Sequence, residues 1–249
     1  MTNKFLFIAN WQMFGDLKTI KTVDKVIKFS KKKENKNIKI IYCPPYTLLD
    51  GFVKITKSTK VDVGAQDSYF EKTTGPFTGS ISPDMIKKLG VKYVIIGHSE
   101  KRKDGDTDKI VNKKIINALS SKLYVILCIG ETIKEKNNNK TKYILRNQLN
   151  SGLKNITNIK NIIIAYEPIW SIGTGKILTN KELIDNFLFL KKYLKLKFRS
   201  KKPIIIYGGS VNNKNISDLK EINEIDGFLV GGASTNYKKF IDIIKKTIN

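Results

Sequence analysis

The sequence predicts a (β/α)8 barrel, in which eight parallel strands alternate with eight helical units. Eight short apolar runs, rich in β-branched and aromatic residues, recur along the 249 residues. Longer amphipathic segments separate them, and polar residues collect where the runs end. Because the runs are apolar throughout, they are typical of strands buried on both faces of a parallel sheet. Their alternation with helices over this length favours a barrel.

The predicted strands share this uninterrupted apolar character. They are Phe5–Ala9, Ile38–Tyr42, Val61–Gly64, Tyr93–Ile96, Tyr124–Cys128, Ile162–Ala165, Ile204–Tyr207 and Phe228–Val230. Between them, apolar residues recur three or four positions apart, as on one face of a helix. The clearest sets are Leu17, Ile20, Val23 and Ile27; Leu183, Ile184, Phe187, Leu188 and Leu194; and Phe240, Ile243 and Ile244.

An open doubly wound sheet is the alternative fold. No GxGxxG motif follows the first predicted strand and no GxxxxGK[ST] motif occurs, so neither the dinucleotide-binding nor the P-loop version has its signature. No linker or break in composition divides the chain. We therefore expect one barrel domain over residues 1–249.

The apolar runs are all far shorter than the ~20 residues that a membrane helix needs. Phe5–Ala9 is also too short for a signal peptide, and no small-residue cleavage site follows it. Cys43 and Cys128 form neither a disulfide framework nor a metal-binding spacing. We expect a cytoplasmic protein in a reducing compartment, with no membrane partner and no metal.

The net charge of +24 suggests binding to nucleic acid or another polyanion. The choice of basic residues argues against this, because base and phosphate recognition favours arginine. Arginine occurs only at positions 102, 146 and 199, and the lysines are scattered along the chain. We expect no specific nucleic-acid site. The charge is then a diffuse attraction for anions that salt weakens.

Candidate catalytic groups lie at the carboxyl ends of the predicted strands, where barrels place their active sites. Glu167 follows the sixth strand and could act as a general base if it is partly desolvated. His98, the only histidine, follows the fourth strand near the expected start of a helix. The positive end of a helix favours the neutral imidazole, which can donate a hydrogen bond to a substrate oxygen.

Two glycine-rich turns close the seventh and eighth units, Gly208-Gly209-Ser210 and Gly231-Gly232-Ala233-Ser234. Their backbone N–H groups could hold a phosphate, as barrels often do after these strands. The loop Pro168–Lys176 is apolar and then glycine-rich, which is typical of a mobile lid. The residues alone thus indicate a phosphorylated carbon substrate and proton transfer. Ordinary tight turns and a long loop remain the alternatives.

Nine motifs, in order, resemble the triosephosphate isomerase family over essentially the whole chain. They are Ala9-Asn10-Trp11, Gly64-Ala65-Gln66, Phe77-Thr78-Gly79, Gly97-His98-Ser99-Glu100, Cys128-Ile129-Gly130-Glu131-Thr132, Ala165-Tyr166-Glu167-Pro168-Ile169-Trp170, Gly173-Thr174-Gly175-Lys176, Tyr207-Gly208-Gly209-Ser210-Val211 and Asp226-Gly227-Phe228-Leu229-Val230-Gly231-Gly232-Ala233-Ser234. The resemblance implies interconversion of dihydroxyacetone phosphate and glyceraldehyde 3-phosphate without a cofactor. An ionised carboxylate beside a neutral histidine is a known pairing in this family.

The resemblance also implies roles for individual residues. Glu167 would transfer the carbon-bound proton, with His98, Asn10, residue 12 and Glu100 completing the catalytic group. Backbone N–H groups would hold the phosphate at Gly173, Ser210, Gly231 and Gly232. The loop at Thr78 would reach the site of a second subunit in a homodimer.

Position 12 departs from the family, which has a lysine there, whereas this chain has Gln12. Glutamine keeps an N–H donor but no charge, and a charge-assisted hydrogen bond is roughly twice as strong as a neutral one. Loss of one preorganised donor can cost roughly 10²–10³ in rate. The sequence therefore predicts an impaired isomerase, with a non-catalytic phosphate-ligand-binding barrel of the same family as the alternative.

Overall fold

A computed structural model describes residues 4–199 and 202–248. Its eight strands form a closed parallel barrel in which each strand pairs with the next and β8 pairs with β1. The strands are β1 Phe5–Asn10, β2 Ile38–Cys43, β3 Val61–Ala65, β4 Tyr93–Ile96, β5 Tyr124–Ile129, β6 Ile162–Tyr166, β7 Ile204–Tyr207 and β8 Gly227–Val230. The predicted (β/α)8 barrel is confirmed.

Helices connect the strands on the outside of the barrel. They are α1 Leu17–Ser30, α2 Leu49–Thr56, α3 Pro83–Lys88, α4 Ser99–Lys103, α5 Asp108–Ser120, α6 Ile133–Asn137, α7 Thr141–Gly152, α8 Asn180–Phe198, α9 Ile216–Leu219 and α10 Tyr237–Ile248. Short 3-10 turns lie at Lys33–Asn35, Tyr46–Leu48, Ile169–Ser171 and Gly232–Thr235.

Several strands end one residue later than their apolar runs. Asn10 pairs with Cys43, for example, and Ile129 pairs with Tyr166. Backbone pairing depends on the N–H and C=O groups, not on the side chain, so the ladder continues into the first residue beyond the run. This extension places the Asn10 side chain on the rigid end of β1.

The apolar repeats of the helices mark their buried faces, but some residues of these repeats are exposed. In α1, Ile20, Val23 and Ile27 are buried, but Leu17 is exposed. Leu17 is the first residue of the helix, directly after the capping residue Asp16, and lies outside the turn that packs on the barrel. Ile184 and Leu188 of α8 are likewise exposed, so the apolar periodicity of these helices is wider than the face that is buried.

The core consists of two layers because successive strand residues face opposite sides. In β1, Leu6 and Ile8 point into the barrel, whereas Phe7 and Ala9 face the helices. Cys43 and Cys128 belong to the inner layer and are buried free thiols. The interior is therefore packed, and any cavity for a ligand has to lie at an end of the barrel.

Within the described ranges 4–199 and 202–248, no helix is both long and apolar enough to cross a membrane.

Candidate active site

A cavity of about 260 Å³ lies at the carboxyl ends of the strands. Its walls come from five parts of the barrel: the ends of β1 and β4, the loop after β6, and the glycine-rich turns after β7 and β8. The lining residues are Asn10, Gln12, His98, Glu167, Ile172, Gly173, Gly208, Gly209, Ser210, Val211, Asn212, Leu229, Gly231, Gly232 and Ala233. Eight of the nine predicted site residues are therefore brought together here.

Glu167 is held by its backbone at the end of β6. Its N–H donates to the carbonyl oxygen of Ile129 at 2.8 Å. Two glycines make room for it, since a Cβ at Gly130 would overlap the Glu167 carbonyl group and one at Gly208 would lie 2.6 Å from its Cγ. Glycine is thus a steric requirement at both positions, for the Glu167 backbone at Gly130 and for the Glu167 side chain at Gly208.

The Glu167 carboxyl group is set up to accept a proton. It is only 4% exposed, and its Oε2 atom has no hydrogen-bond partner within the described structure. Burial raises the pKa of this carboxyl above its usual range, while the neighbouring His98 and a hydrogen bond from the Cys128 thiol oppose the shift. A raised pKa makes a carboxylate a stronger base.

His98 caps the N-terminus of α4. The backbone N–H of Glu100 donates to His98 Nδ1 at 3.4 Å, and Glu100 Oε2 lies 3.4 Å from the same nitrogen. Nε2 lies 3.7 Å from Glu167 Oε1 and 3.5 Å from Asn10 Nδ2. The imidazole, the amide and the carboxylate therefore converge on one point of the cavity wall.

Gln12 has a constrained backbone and a committed side chain. Its φ is +52°, and its N–H donates to Asn10 Oδ1 at 3.2 Å while its carbonyl accepts from Gln66 Nε2 at 2.8 Å. Its Nε2 donates to Glu100 Oε1 at 2.7 Å. The amide donor that we expected to serve a ligand is thus bonded to Glu100, which the structure places at the edge of the site through this contact.

The cavity wall is short of positive charge. In the part of the chain that the structure describes, no lysine or arginine lines it, although Glu167 does and Glu100 lies behind Gln12. Any anion bound here would depend on backbone N–H groups. No group of three His, Cys, Asp or Glu side chains among residues 4–199 and 202–248 is arranged to hold a metal ion.

Three loops supply backbone groups to the cavity wall. Gly173 belongs to the loop after β6, Ser210 to the turn after β7, and Gly231 and Gly232 to the turn after β8. A Cβ at Gly173 or Gly232 would meet no atom within 4 Å, so both face open space. The Ser210 N–H is occupied, because it donates to Ser171 Oγ at 3.2 Å.

The predicted lid, Pro168–Lys176, begins with a 3-10 turn and continues through two glycines with positive φ, Gly173 at +70° and Gly175 at +76°. Trp170 anchors its first half by donating from Nε1 to Glu131 Oε1 at 3.1 Å. Burial raises the pKa of the Glu131 carboxyl, and the hydrogen bond from Trp170 opposes this.

Sequence reasoning missed Ser171, whose hydroxyl joins the lid to the turn after β7. The signal available was a small polar residue inside the otherwise apolar stretch Pro168–Ile172. Thr78, by contrast, lies away from the cavity in an exposed turn, Phe77–Ser80, in which the Ser80 N–H donates to the Phe77 carbonyl at 3.0 Å.

The family model described as triosephosphate isomerase matches residues 5–247. The chain belongs to the triosephosphate isomerase family. The triosephosphate isomerase of Thermodesulfovibrio yellowstonii is 39% identical over 249 aligned residues. The match covers 98% of this chain and all of that protein. The triosephosphate isomerases of Saccharomyces cerevisiae and Mycoplasma mobile are 40% and 41% identical, each over 248 residues and at least 97% of both chains.

A solved structure supports the same assignment. The crystal structure of triosephosphate isomerase from Bartonella henselae matches 99% of this chain and all of its own, with a TM-score of 0.90 and 30% sequence identity. The predicted family and enzyme class, an isomerase, are therefore confirmed. Membership in the triosephosphate isomerase family leaves the effect of Gln12 open.

Proposed function

We propose that this chain interconverts dihydroxyacetone phosphate and glyceraldehyde 3-phosphate, with Glu167 as the base and no cofactor. One observation carries the proposal: the buried Glu167 carboxylate and His98 Nε2 lie 3.7 Å apart on the wall of a 260 Å³ cavity. The glycine-rich loops that line the same cavity offer backbone groups suited to a phosphate. Base, hydrogen-bond donor and anion cradle are the parts that this proton transfer needs.

In the proposed reaction, Glu167 removes a proton from the carbon next to the substrate carbonyl. The electron pair of the broken C–H bond forms the enediolate double bond, and charge develops on the carbonyl oxygen. His98 Nε2–H and the Asn10 amide donate to the two substrate oxygens. Return of the proton from Glu167 to the adjacent carbon, with the hydroxyl proton moved by His98, completes the isomerisation without net redox change.

The loop Pro168–Lys176 would close over the bound substrate. Closure would exclude water and strengthen each electrostatic contact in the cavity. It would also protect the enediolate phosphate from elimination. The two positive-φ glycines give this loop the backbone freedom that such a movement needs.

Gln12 is expected to reduce the rate. Its Nε2 is bonded to Glu100, and it brings no positive charge to a cavity whose nearest charged groups are carboxylates. The same contact is what favours the alternative, a phosphate-ligand binder without catalysis. In that case the phosphate affinity would remain while proton transfer would be absent.

Coupled assays in both directions, with the full chain, test the proposal. We expect turnover above background that falls by at least about 10³-fold in Glu167→Gln, because the amide cannot accept the proton. The exposed Glu221→Gln is the matched control and should keep the parent rate. Binding of a phosphorylated inhibitor without turnover would support the alternative, and absence of both would contradict either function.

We further propose a homodimer in which the Thr78 turn reaches the partner's site. Large apolar residues are exposed in the loop after β1, chiefly Met13 at 94% and Phe14 at 57%, and an interface between two copies would bury them. Gly79 has a φ of +80°, as the third residue of a type II turn requires, which presents Thr78 at the tip.

We also propose a domain organisation and a compartment for this chain. The chain forms one domain, which agrees with the fact that every described strand belongs to the barrel. It resides in a reducing cytoplasm, which the two buried free thiols support.

A further inference from the structure

Ser171 makes a saturated set of hydrogen bonds at the start of the lid. It ends the 3-10 turn Ile169–Ser171 and is fully buried. Its hydroxyl donates to the Lys176 carbonyl at 2.6 Å and accepts from the Ser210 N–H at 3.2 Å. The Tyr207 hydroxyl lies 3.3 Å away. Since a serine hydroxyl has one proton and two lone pairs, Tyr207 must be the donor in that contact.

This one oxygen connects two parts of the site. Lys176 lies at the far end of the lid, so the bond from Ser171 ties the two ends of the lid together. Ser210 belongs to the turn after β7 and lines the cavity. The Ser171 hydroxyl therefore holds the lid to the turn that carries part of the proposed phosphate site.

Around Gly209 there is no space for a side-chain atom between the lid and the turn after β7. A Cβ at this position would overlap the Tyr207 hydroxyl and lie 2.8 Å from Ser171 Oγ. The turn thus rests directly on the lid anchor. If Ser210 is to direct its N–H towards a ligand in the cavity, its peptide group has to move relative to Ser171.

We propose that Ser171 is a positioning residue that competes with a bound anion for the Ser210 N–H. The hydroxyl accepts from this N–H in the structure. An anion that takes the N–H breaks the bond and frees the turn from the lid anchor, so anion binding and lid movement are coupled. The inference rests on the proposed phosphate site and adds to it the residue that sets its affinity.

Isothermal titration of inorganic phosphate into the full chain tests the competition. Ser171→Ala removes the competing oxygen, so we expect phosphate to bind about threefold to tenfold more tightly, the range for one neutral hydrogen bond. With triose phosphate as substrate, the KM of Ser171→Ala should fall along with the dissociation constant for phosphate. Its kcat should fall as well, because the lid has lost its internal bond to Lys176.

Tyr207→Phe is the matched control. It removes another hydrogen bond of the same hydroxyl but leaves the Ser171–Ser210 contact, so its dissociation constant for phosphate should stay within about twofold of the parent value. Equal tightening in both variants would mean that a looser lid, not the freed N–H, improves binding. That result would overturn the inference.

Other outcomes separate this inference from the proposed function. Unchanged or weaker phosphate binding in Ser171→Ala, with parent binding and turnover intact, would overturn only the role of Ser171. Absence of phosphate binding in the parent chain would overturn both. If Ser171→Ala fails to fold, the Ser210 amide resonance of the parent decides: it should shift as phosphate saturates the site, and an unmoved resonance refutes the competition.

Discussion

Substitution of Gln12 by lysine should raise kcat/KM for triose phosphate by about 10²-fold or more. In the parent chain Gln12 Nε2 donates to Glu100 Oε1 at 2.7 Å, so a ligand faces an uncharged amide backed by a carboxylate. A lysine ammonium would turn this into a neutral ion pair and add one positive charge to the site. The Gln12 backbone, with φ of +52°, would need no change, because both residues carry an unbranched Cβ.

The magnitude follows from Coulomb's law. A unit charge about 5 Å from one unit of phosphate charge, at an effective dielectric constant near 20, contributes about 3 kcal/mol. That corresponds to roughly 10²-fold in rate or affinity, and mutagenesis of single preorganised donors gives a similar roughly 10²–10³. Only the part expressed in the transition state raises kcat; the rest lowers KM.

Steady-state kinetics in both directions measure the effect, with Gln12→Met as the matched control. Methionine has a similar length but neither charge nor N–H donor, so it should not raise kcat/KM. A Gln12→Lys variant that stays within about twofold of the parent, or an equal gain in both variants, would refute the electrostatic account. It would show that the missing lysine charge is not what limits this protein.

Three further predictions concern other parts of the structure. Because burial raises the pKa of Glu167, kcat/KM should fall on the acidic side at a higher pH than the ~4.3 of an unperturbed glutamate; a pH–rate profile with its acidic limb at or below that value contradicts this. The same raised pKa favours the neutral carboxyl in the folded state, and this stability is lost as the pH rises through the folded pKa. Glu167→Gln should therefore melt about 3–6 °C higher than the parent at pH 8, for a relief of about 1–2 kcal/mol, with the difference vanishing below about pH 4; equal melting curves at pH 8 argue against a buried charge. Phe14→Lys should shift sedimentation from dimer to monomer, and a parent chain that sediments as a monomer at micromolar concentration removes the dimer proposal.

The fold could be predicted from the sequence because its signal is repeated eight times. Runs such as Ile162–Ala165 are apolar on both faces, which only a doubly covered sheet requires. Individual boundaries were less accurate, since the backbone ladder extends to Asn10 and Tyr166 beyond the apolar runs. The exposure of Leu17 could not be predicted, because periodicity alone does not say which turn of a helix reaches the barrel.

The candidate site could be predicted in position but not in its hydrogen bonds. The carboxyl ends of parallel strands meet at one rim, which brought Glu167 and His98 together as expected. That Gln12 bonds to Glu100 depends on a positive φ and on side-chain rotamers, which no local pattern encodes. The role of Ser171 depends on a contact 39 residues away along the chain, with Ser210.

The most direct test of the central claim is proton exchange at carbon, followed by ¹H NMR of dihydroxyacetone phosphate in D₂O with the full chain. We predict that one carbon-bound hydrogen of the substrate is replaced by deuterium and that deuterated glyceraldehyde 3-phosphate accumulates. Deuterium exchange and product formation should both be absent in Glu167→Gln and should both persist in Glu221→Gln. Two results would contradict the assignment of Glu167 as the base of an active isomerase. One is hydrogen exchange no faster with the protein than in buffer alone, and the other is exchange that continues undiminished in Glu167→Gln.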